Sequence, residues 1–142
     1  MIRIAVVDDD KNILEMIKKN LMSVKGLLDD IQIDTYDKAE KFWKNTGDMT
    51  YDVLFTDIEM PGTDGILFGA KVKEQLPNTI LIFLTAYEKY AVKSYLVKAY
   101  QYILKEDMNI RLPNVLKEVI EQICATARIG LLREEVLCEE NL

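Results

Sequence analysis

The 142-residue sequence contains no histidine, and this absence removes several classes of active site at once. Serine and cysteine nucleophiles that depend on a histidine base are excluded, and so is zinc bound through histidine. Cysteine is scarce as well, since Cys124 and Cys138 are the two in the chain and lie too far apart for a C-x-x-C motif. We therefore expect two free thiols in a reducing, cytoplasmic environment.

Long apolar runs and an excess of basic residues are also missing. No stretch approaches the ~20 apolar residues that span a bilayer, and the N-terminus lacks the features of a signal peptide, so no membrane partner is expected. The net charge is −6, with lysine and arginine scattered along the chain, which argues against non-specific binding of nucleic acid. Neither G-x-G-x-x-G nor a P-loop occurs, so the common nucleotide-binding motifs are excluded.

What the sequence does contain is an alternation of short apolar runs with longer amphipathic segments. A hydrophobic fraction of 49% is sufficient for one domain with a full core. The alternation predicts a parallel sheet covered by helices, with strands at 2–7, 30–36, 52–56, 79–84 and 100–104. Segment 30–36 alternates apolar and polar residues where the others are nearly continuous, which predicts a position at the edge of the sheet.

Five segments with a 3.6-residue period predict the helices. Asp10 is a suitable N-cap for the first, Pro77 ends the third, and Gly69 inside the third weakens that prediction. The fourth covers residues 88–98 and is expected to pack Tyr95 into the core, while the fifth begins near Leu112. The predicted apolar faces are Ile13, Ile17, Leu21 and Val24 in the first helix, Phe68, Val72 and Leu76 in the third, Ala91, Tyr95 and Ala99 in the fourth, and Leu112, Val115, Leu116, Val119, Ile120 and Ile123 in the fifth; the second covers 38–45.

The predicted fold class is α/β, a doubly wound (βα)5 parallel sheet of the flavodoxin-like type with strand order 2-1-3-4-5. In this order strands 1 and 3 are neighbours at the switch point where such sheets bind ligands. Asp8 and Asp9 directly follow strand 1, and Asp57 directly follows strand 3. The topology therefore predicts three carboxylates at one site.

Three carboxylates in one place require a cation, because each pair at ~4 Å repels by up to about 4 kcal/mol at an effective dielectric near 20. Asp8 and Asp9 suit a hard ion such as Mg²⁺, and the backbone carbonyl of Glu59 offers a further oxygen ligand. Asp57 is the candidate acceptor, because it is single, central and followed by a Pro/Gly-rich turn.

Two other strand ends supply groups that suit an incoming phosphoryl group. Thr85 follows strand 4 and offers a hydroxyl donor, and Lys105 follows strand 5 and offers an ammonium that can pair with Asp57 or with phosphoryl oxygens. Phosphoryl transfer depends mainly on positioning and charge neutralisation, which Mg²⁺ and Lys105 would supply together.

In combination, these motifs resemble the receiver domain of two-component response regulators over about residues 1–128. The resemblance rests on Asp8-Asp9, on the segment 57–65 from Asp57 to Gly65, on Leu84-Thr85-Ala86 and on Tyr102-Ile103-Leu104-Lys105. It implies that Asp57 accepts a phosphoryl group from a sensor histidine kinase. It further implies that Asp8 and Asp9, with Asp57 and the carbonyl of Glu59, hold Mg²⁺, that Thr85 and Lys105 bind the phosphoryl group, and that Thr85 and Tyr102 act as the switch.

Segment 85–95 is similar to receivers attached to LytTR-type DNA-binding domains. That similarity implies a signalling protein rather than an enzyme, with a homodimer formed on phosphorylation and DNA bound only through an effector domain absent from this chain. Residues 129–142 are interpreted as a linker or helical extension toward such a domain. The alternative is a stand-alone receiver that acts only through protein–protein contacts.

The sequence departs from the receiver pattern after Lys105, where receivers commonly have proline and this chain has Glu106. Because a cis bond without proline costs about 3–4 kcal/mol, we predict a trans Lys105–Glu106 bond.

Two other kinds of metal-dependent site fit the sequence less well. An aspartyl-phosphate hydrolase would have a second aspartate where this chain has Glu59. An EF-hand starting at Asp8 fails because its required glycine is replaced by Ile13 and its glutamate by Lys19.

Overall fold

The computed structural model describes residues 2–24, 31–47 and 50–140, with side chains described up to residue 126. Five parallel strands form one sheet: β1 (Ile2–Val7), β2 (Ile31–Tyr36), β3 (Val53–Thr56), β4 (Ile80–Thr85) and β5 (Gln101–Leu104). Their order is β2-β1-β3-β4-β5, which confirms the predicted order and the edge position of β2. The strand ends differ from the predicted ones by no more than one residue.

Five helices connect and follow these strands: α1 (Lys11–Met22), α2 (Ala39–Asn45), α3 (Gly65–Gln75), α4 (Ala91–Leu96) and α5 (Met108–Glu140). A short antiparallel hairpin joins Glu59–Met60 to Thr63–Asp64 between β3 and α3, and Gly62 takes a positive φ of 72° in its turn. None of the described helices is long and apolar enough to cross a bilayer.

The sheet separates two apolar layers. Alternate strand residues such as Ile4 and Phe55 pack with α1 and α5 on one side, while Ala5 and Leu54 pack with α2 and α3 on the other. Because β1 and β3 are covered on both faces, their side chains are mostly apolar, with Arg3 and Thr56 as the polar exceptions. The acids follow directly where the two strands leave the sheet.

Two aspartates near that edge cap helices. The Asp10 side chain accepts hydrogen bonds from the backbone N–H groups of Asn12 and Ile13 at the start of α1, as predicted. Asp64 does the same for Ile66 and Leu67 at the start of α3. Their carboxylates satisfy backbone donors that a helix start leaves free, so both residues have a structural role.

Gly69 has a packing reason to stand inside α3. A Cβ atom at this position would lie 2.7 Å from the Phe83 ring and 3.0 Å from Leu81, both on β4. The glycine therefore permits a close approach of helix to sheet, which offsets its poor helix propensity.

Two predictions about α4 are wrong. The helix covers six residues instead of 88–98, because residues 86–90 form a loop and Lys98 adopts a left-handed φ of 62° after the helix ends. Tyr95, predicted to pack in the core, is 81% exposed. Ser94 is the residue of α4 that is buried, so the apolar spacing of the sequence selected the wrong face.

The start of α5 was also predicted too late. A short 3-10 turn at Lys105–Asp107 leads into a helix that begins at Met108, and Pro113 lies inside that helix. Met108 and Leu112 are 2% and 0% exposed, so the first turn is anchored in the core. This packing outweighs the one backbone hydrogen bond that Pro113 cannot donate.

Candidate functional site

Three carboxylates meet at the C-terminal ends of the neighbouring strands β1 and β3. Oxygen atoms of Asp8, Asp9 and Asp57 lie within 4.8 Å of one another. Asp8 and Asp57 are 1% and 6% exposed, whereas Asp9 is exposed. The backbone N–H of Asp57 donates to the carbonyl of Val7 at 3.0 Å, so the pairing of the two strands sets the position of the acids. This is the grouping that the strand order predicted.

Among the described residues, Lys105 is the one cationic side chain that contacts both buried acids. Its Nζ lies 2.8 Å from Oδ2 of Asp8 and 2.9 Å from Oδ2 of Asp57. The other oxygen of Asp57 accepts the backbone N–H of Ile58 at 2.7 Å, and Oδ1 of Asp8 accepts that of Asp10 at 2.9 Å. The orientation of both carboxylates is therefore fixed by short contacts.

Burial and charge act in opposite directions on these groups. Burial raises the pKa of Asp8, and the contacts with Lys105 and with the backbone of Asp10 oppose that effect only in part. Burial acts to lower the pKa of Lys105, but the carboxylates of Asp8 and Asp57 outweigh it and the net pKa lies above the ordinary value. Lys105 is therefore charged at neutral pH.

Thr85 and Tyr102 flank the acids on β4 and β5. Thr85 is completely buried, and its hydroxyl has no hydrogen-bond partner in the part of the chain that the structure describes. The hydroxyl of Tyr102 donates to the backbone carbonyl of Tyr87, in the loop that follows Thr85. Arg111 on α5 donates from Nη1 to the carbonyl of Tyr102 at 2.8 Å. The switch residues suggested by the sequence are thus linked to the loop 86–90 and to α5.

The side chain of Glu59 makes contacts that the sequence did not predict. Its side-chain Oε1 accepts a hydrogen bond from the Tyr90 hydroxyl and lies 3.2 Å from Nζ of Lys89. The hydrogen bond from Tyr90 is the largest cause of a pKa of Glu59 below the ordinary range, and Lys89 adds to it. The use of its backbone carbonyl as a metal ligand stays a prediction.

Lys89 and Tyr90 were not predicted from the sequence as residues of the site. They lie in a loop, where no helical or strand period assigns a face to a side chain. The one available signal was composition, since two tyrosines and a lysine follow Thr85 within five residues.

The Lys105–Glu106 bond is trans, as predicted, since the described residues contain no cis peptide bond. The missing proline therefore leaves Lys105 in contact with both acids.

The net charge of the site favours the binding of a further cation. Three carboxylates against the one ammonium of Lys105 give a net charge of −2 when all are ionised. The donor atoms are oxygens, which suit a hard divalent ion.

Comparison with models of protein families identifies the family that has this arrangement of residues. Residues 4–117 match the model of the response regulator receiver domain. The chain belongs to this family. The five-stranded sheet with its acids at the ends of β1 and β3 is therefore a receiver domain of a two-component response regulator.

Individual relatives agree with this assignment. The sensory transduction protein LytT of Bacillus subtilis is 28% identical over 120 residues, which is 83% of this chain and 48% of LytT. The transcriptional regulatory protein YpdB of Escherichia coli is 26% identical over 87 residues, which is 61% of this chain and 36% of YpdB. The match to LytT agrees with the similarity of segment 85–95 to LytTR-type receivers. This receiver domain spans at most about half the length of these curated relatives.

A solved structure with the same fold is the response regulator TrrA of Thermotoga maritima, described as a complex with Mg²⁺ and beryllofluoride. It is 31% identical, with a TM-score of 0.72 over 84% of this chain and 99% of TrrA. The whole of that receiver therefore superimposes on the (βα)5 unit seen here.

Proposed function

We propose that this receiver domain is a phosphorylation-activated switch, in which Asp57 accepts a phosphoryl group from a sensor histidine kinase. The observation that carries the proposal is the buried carboxylate of Asp57, held 2.9 Å from Lys105 and grouped with Asp8 and Asp9. A buried acid at the switch point of a parallel sheet is placed where such folds bind ligands.

Mg²⁺ is the cofactor that this site would take. The carboxylates of Asp8, Asp9 and Asp57 would hold the ion, with the backbone carbonyl of Glu59 as a further ligand. The net charge of −2 and the all-oxygen donor set fit such an ion. When bound, it neutralises negative charge that develops on the phosphoryl oxygens during transfer.

Three residues of the chain have separate roles in the transfer of the phosphoryl group. A carboxylate oxygen of Asp57 forms a bond to phosphorus while the bond from phosphorus to the kinase histidine nitrogen breaks, which leaves an aspartyl phosphate and a free histidine. Lys105 moves its contact from the carboxylate to a phosphoryl oxygen and keeps a charge-assisted hydrogen bond. Thr85 donates a hydrogen bond from its hydroxyl to another phosphoryl oxygen. This role is supported by the buried position of that hydroxyl, which has no hydrogen-bond partner among the described residues.

Thr85 and Tyr102 would transmit the change. A new partner for Thr85 shifts the loop 86–90, whose Tyr87 carbonyl already accepts from Tyr102 on β5. The surface that would change is formed by α4, β5 and α5. It carries large exposed apolar side chains at Val92, Tyr95 and Leu96, which suit a partner or a second copy of the domain.

The output we favour is transcription through a separate DNA-binding domain. It is supported by the name of YpdB, a transcriptional regulatory protein, and by the fact that this chain covers only 36% of the length of YpdB. Helix α5 continues to Glu140, which supports a helical extension in the segment 129–142, whose last two residues lie outside the described part of the chain, with the receiver unit at 1–128. A stand-alone receiver that acts through protein contacts is the alternative. In neither case does the chain act as an enzyme on a separate substrate, although it assists its own phosphorylation and dephosphorylation.

The proposal is tested by incubating the chain with acetyl phosphate and recording its intact mass. We expect one added phosphoryl group that requires Mg²⁺ and is absent from the isosteric Asp57→Asn variant. Asp64→Asn is the matched control, because Asp64 caps α3 and lies outside the acid cluster. An adduct on Asp57→Asn, or none on the wild type together with no binding of beryllofluoride, would contradict the proposal.

A further inference from the structure

Three side chains of the loop after Thr85 converge on Glu59, two residues after Asp57. The hydroxyl of Tyr90 donates to Glu59 Oε1, and Nζ of Lys89 lies 3.2 Å from the same oxygen. Lys89 in turn lies over the rings of Tyr87 and Tyr90, 5.2 and 5.1 Å from their centroids. The two rings meet edge-to-face at 6.4 Å. We refer to Glu59, Tyr87, Lys89 and Tyr90 as the Glu59 clamp.

The Glu59 clamp joins the two loops on which the site depends. Glu59 belongs to the segment that follows Asp57, and the other three residues belong to the segment that follows Thr85. Lys89 contacts one carboxylate and two aromatic faces, which together restrain its charge although its side chain is 63% exposed. The carboxylate of Glu59 is therefore both neutralised and restrained at the rim of the site.

Without these contacts, Glu59 would add a mobile negative charge next to Asp57, Asp8 and Asp9. The substrate that must approach is an anionic phosphoryl donor, and unpaired acids at the rim oppose its approach. We propose that Lys89 and Tyr90 are positioning residues for phosphotransfer, which hold the Glu59 carboxylate on the side of α4 and so keep the entrance to Asp57 open to phosphoryl donors. This inference rests on the proposed phosphorylation of Asp57 and adds residues that the receiver motifs do not include.

The inference predicts that the effect of Lys89 depends on Glu59. Phosphorylation of the full chain with Mg²⁺ and acetyl phosphate is timed by intact mass for the wild type, Lys89→Met, Tyr90→Phe, Glu59→Gln and the double variant Glu59→Gln with Lys89→Met. Contacts between exposed charged groups contribute a factor of at most about five, so we expect Lys89→Met to slow the reaction about two- to fivefold at low ionic strength. Tyr90→Phe keeps the ion pair and slows it less.

Three features separate positioning from a general structural role. In the Glu59→Gln background, Lys89→Met has no further effect, because there is no carboxylate left to hold. The loss fades as salt screens the freed charge. Lys93→Met, which removes a lysine of α4 that has no ion pair with Glu59 among the described contacts, keeps the wild-type rate.

The inference is overturned if Lys89→Met slows phosphorylation equally in both backgrounds, if Lys93→Met has the same effect, or if none of the variants changes the rate. These outcomes leave the proposed function intact, because the wild type is still phosphorylated. If the wild-type chain takes up no phosphoryl group, both the proposed function and this further inference are contradicted.

Discussion

Lys105 is the one side chain of the described residues that touches both buried carboxylates of the site. Without a bound metal its ammonium is the charge that compensates Asp8 and Asp57, which explains why its pKa is raised in spite of burial. The same carboxylates are the proposed ligands of Mg²⁺. The proposed mechanism therefore gives Lys105 two opposed effects, because its ammonium would compete with the metal for the acids and would then stabilise the phosphoryl group.

The substitution Lys105→Met should separate these two effects. We expect tighter Mg²⁺ binding by titration calorimetry, because the competing ammonium is gone. We also expect phosphorylation by acetyl phosphate to be slower by on the order of a hundredfold, the usual cost of losing one charge-stabilising donor.

In the absence of Mg²⁺ the Lys105→Met variant should lose about 1–3 kcal/mol of unfolding free energy, since two buried carboxylates lose a charged partner. Lys117→Met on the exposed face of α5 is the control and should match the wild type in all three measurements. Weaker Mg²⁺ binding by Lys105→Met would show that Lys105 assists the metal instead of competing with it.

At the level of secondary-structure elements, α3 can approach β4 closely because Gly69 has no side chain at the point of contact. Gly69 lies where a Cβ atom would come within 2.7 Å of the buried Phe83 ring. Propensity alone predicts that alanine at this position stabilises the helix by about 1 kcal/mol. Packing predicts the reverse, because overfilling a close-packed core costs about 1–3 kcal/mol.

We therefore expect Gly69→Ala to lower the free energy of unfolding by about 1 kcal/mol in urea denaturation. Gly47→Ala is the comparison, because a Cβ atom there meets nothing within 4 Å, and its effect should stay within about 0.5 kcal/mol. If Gly69→Ala instead stabilises the domain, α3 can move away from β4 at little cost and the close approach has no energetic role.

The same elements show what could be read from the sequence and what could not. Strands were predicted to within one residue, because short segments rich in β-branched and other apolar residues are bounded by polar turns. Helix α4 was predicted too long and on the wrong face, because it is a short helix whose single buried residue, Ser94, is polar. The start of α5 was missed because Pro113 resembles a first helical residue, while the packing of Met108 is a tertiary effect.

For the site, the residues that follow the strands could be predicted from the sequence, and the predicted strand order indicated which of them lie close together. Asp8, Asp9 and Asp57 are brought together, and Lys105 reaches them, as the positions after β1, β3 and β5 implied. The contacts of Glu59 with Lys89 and Tyr90 could not be predicted, because they join two loops through long side chains. Their geometry depends on where the loop 86–90 passes, which no local pattern encodes.

At the scale of the whole molecule, a chain of direct contacts leads from the acid cluster to the surface. Lys105 follows β5, the strand that carries Tyr102, and the Tyr102 hydroxyl contacts the loop 86–90 through Tyr87. Arg111 of α5 binds the carbonyl of Tyr102 and lies 3.1 Å from the side chain of Gln101. These contacts connect the site with the loop before α4, with β5 and with α5, and they are the route that the proposed switch would use.

We expect beryllofluoride with Mg²⁺, a stable mimic of the phosphoryl group, to shift the amide resonances of residues 86–105 in nuclear magnetic resonance spectra. Resonances of α2, which faces another part of the sheet, should shift less. The Asp57→Asn variant is the control and should show neither set of changes. Changes confined to residues next to Asp57, Asp8 and Asp9 would contradict a switch that reaches the α4-β5-α5 surface.

Chemical trapping can show whether Asp57 is the residue that receives the phosphoryl group. After reaction with Mg²⁺ and acetyl phosphate, sodium borohydride reduces an aspartyl phosphate to homoserine, which tandem mass spectrometry locates in the digested chain. We expect homoserine at position 57 and at no other aspartate, and none without Mg²⁺. Homoserine at Asp8 or Asp9, or a phosphoryl adduct that borohydride leaves unchanged, would contradict this expectation.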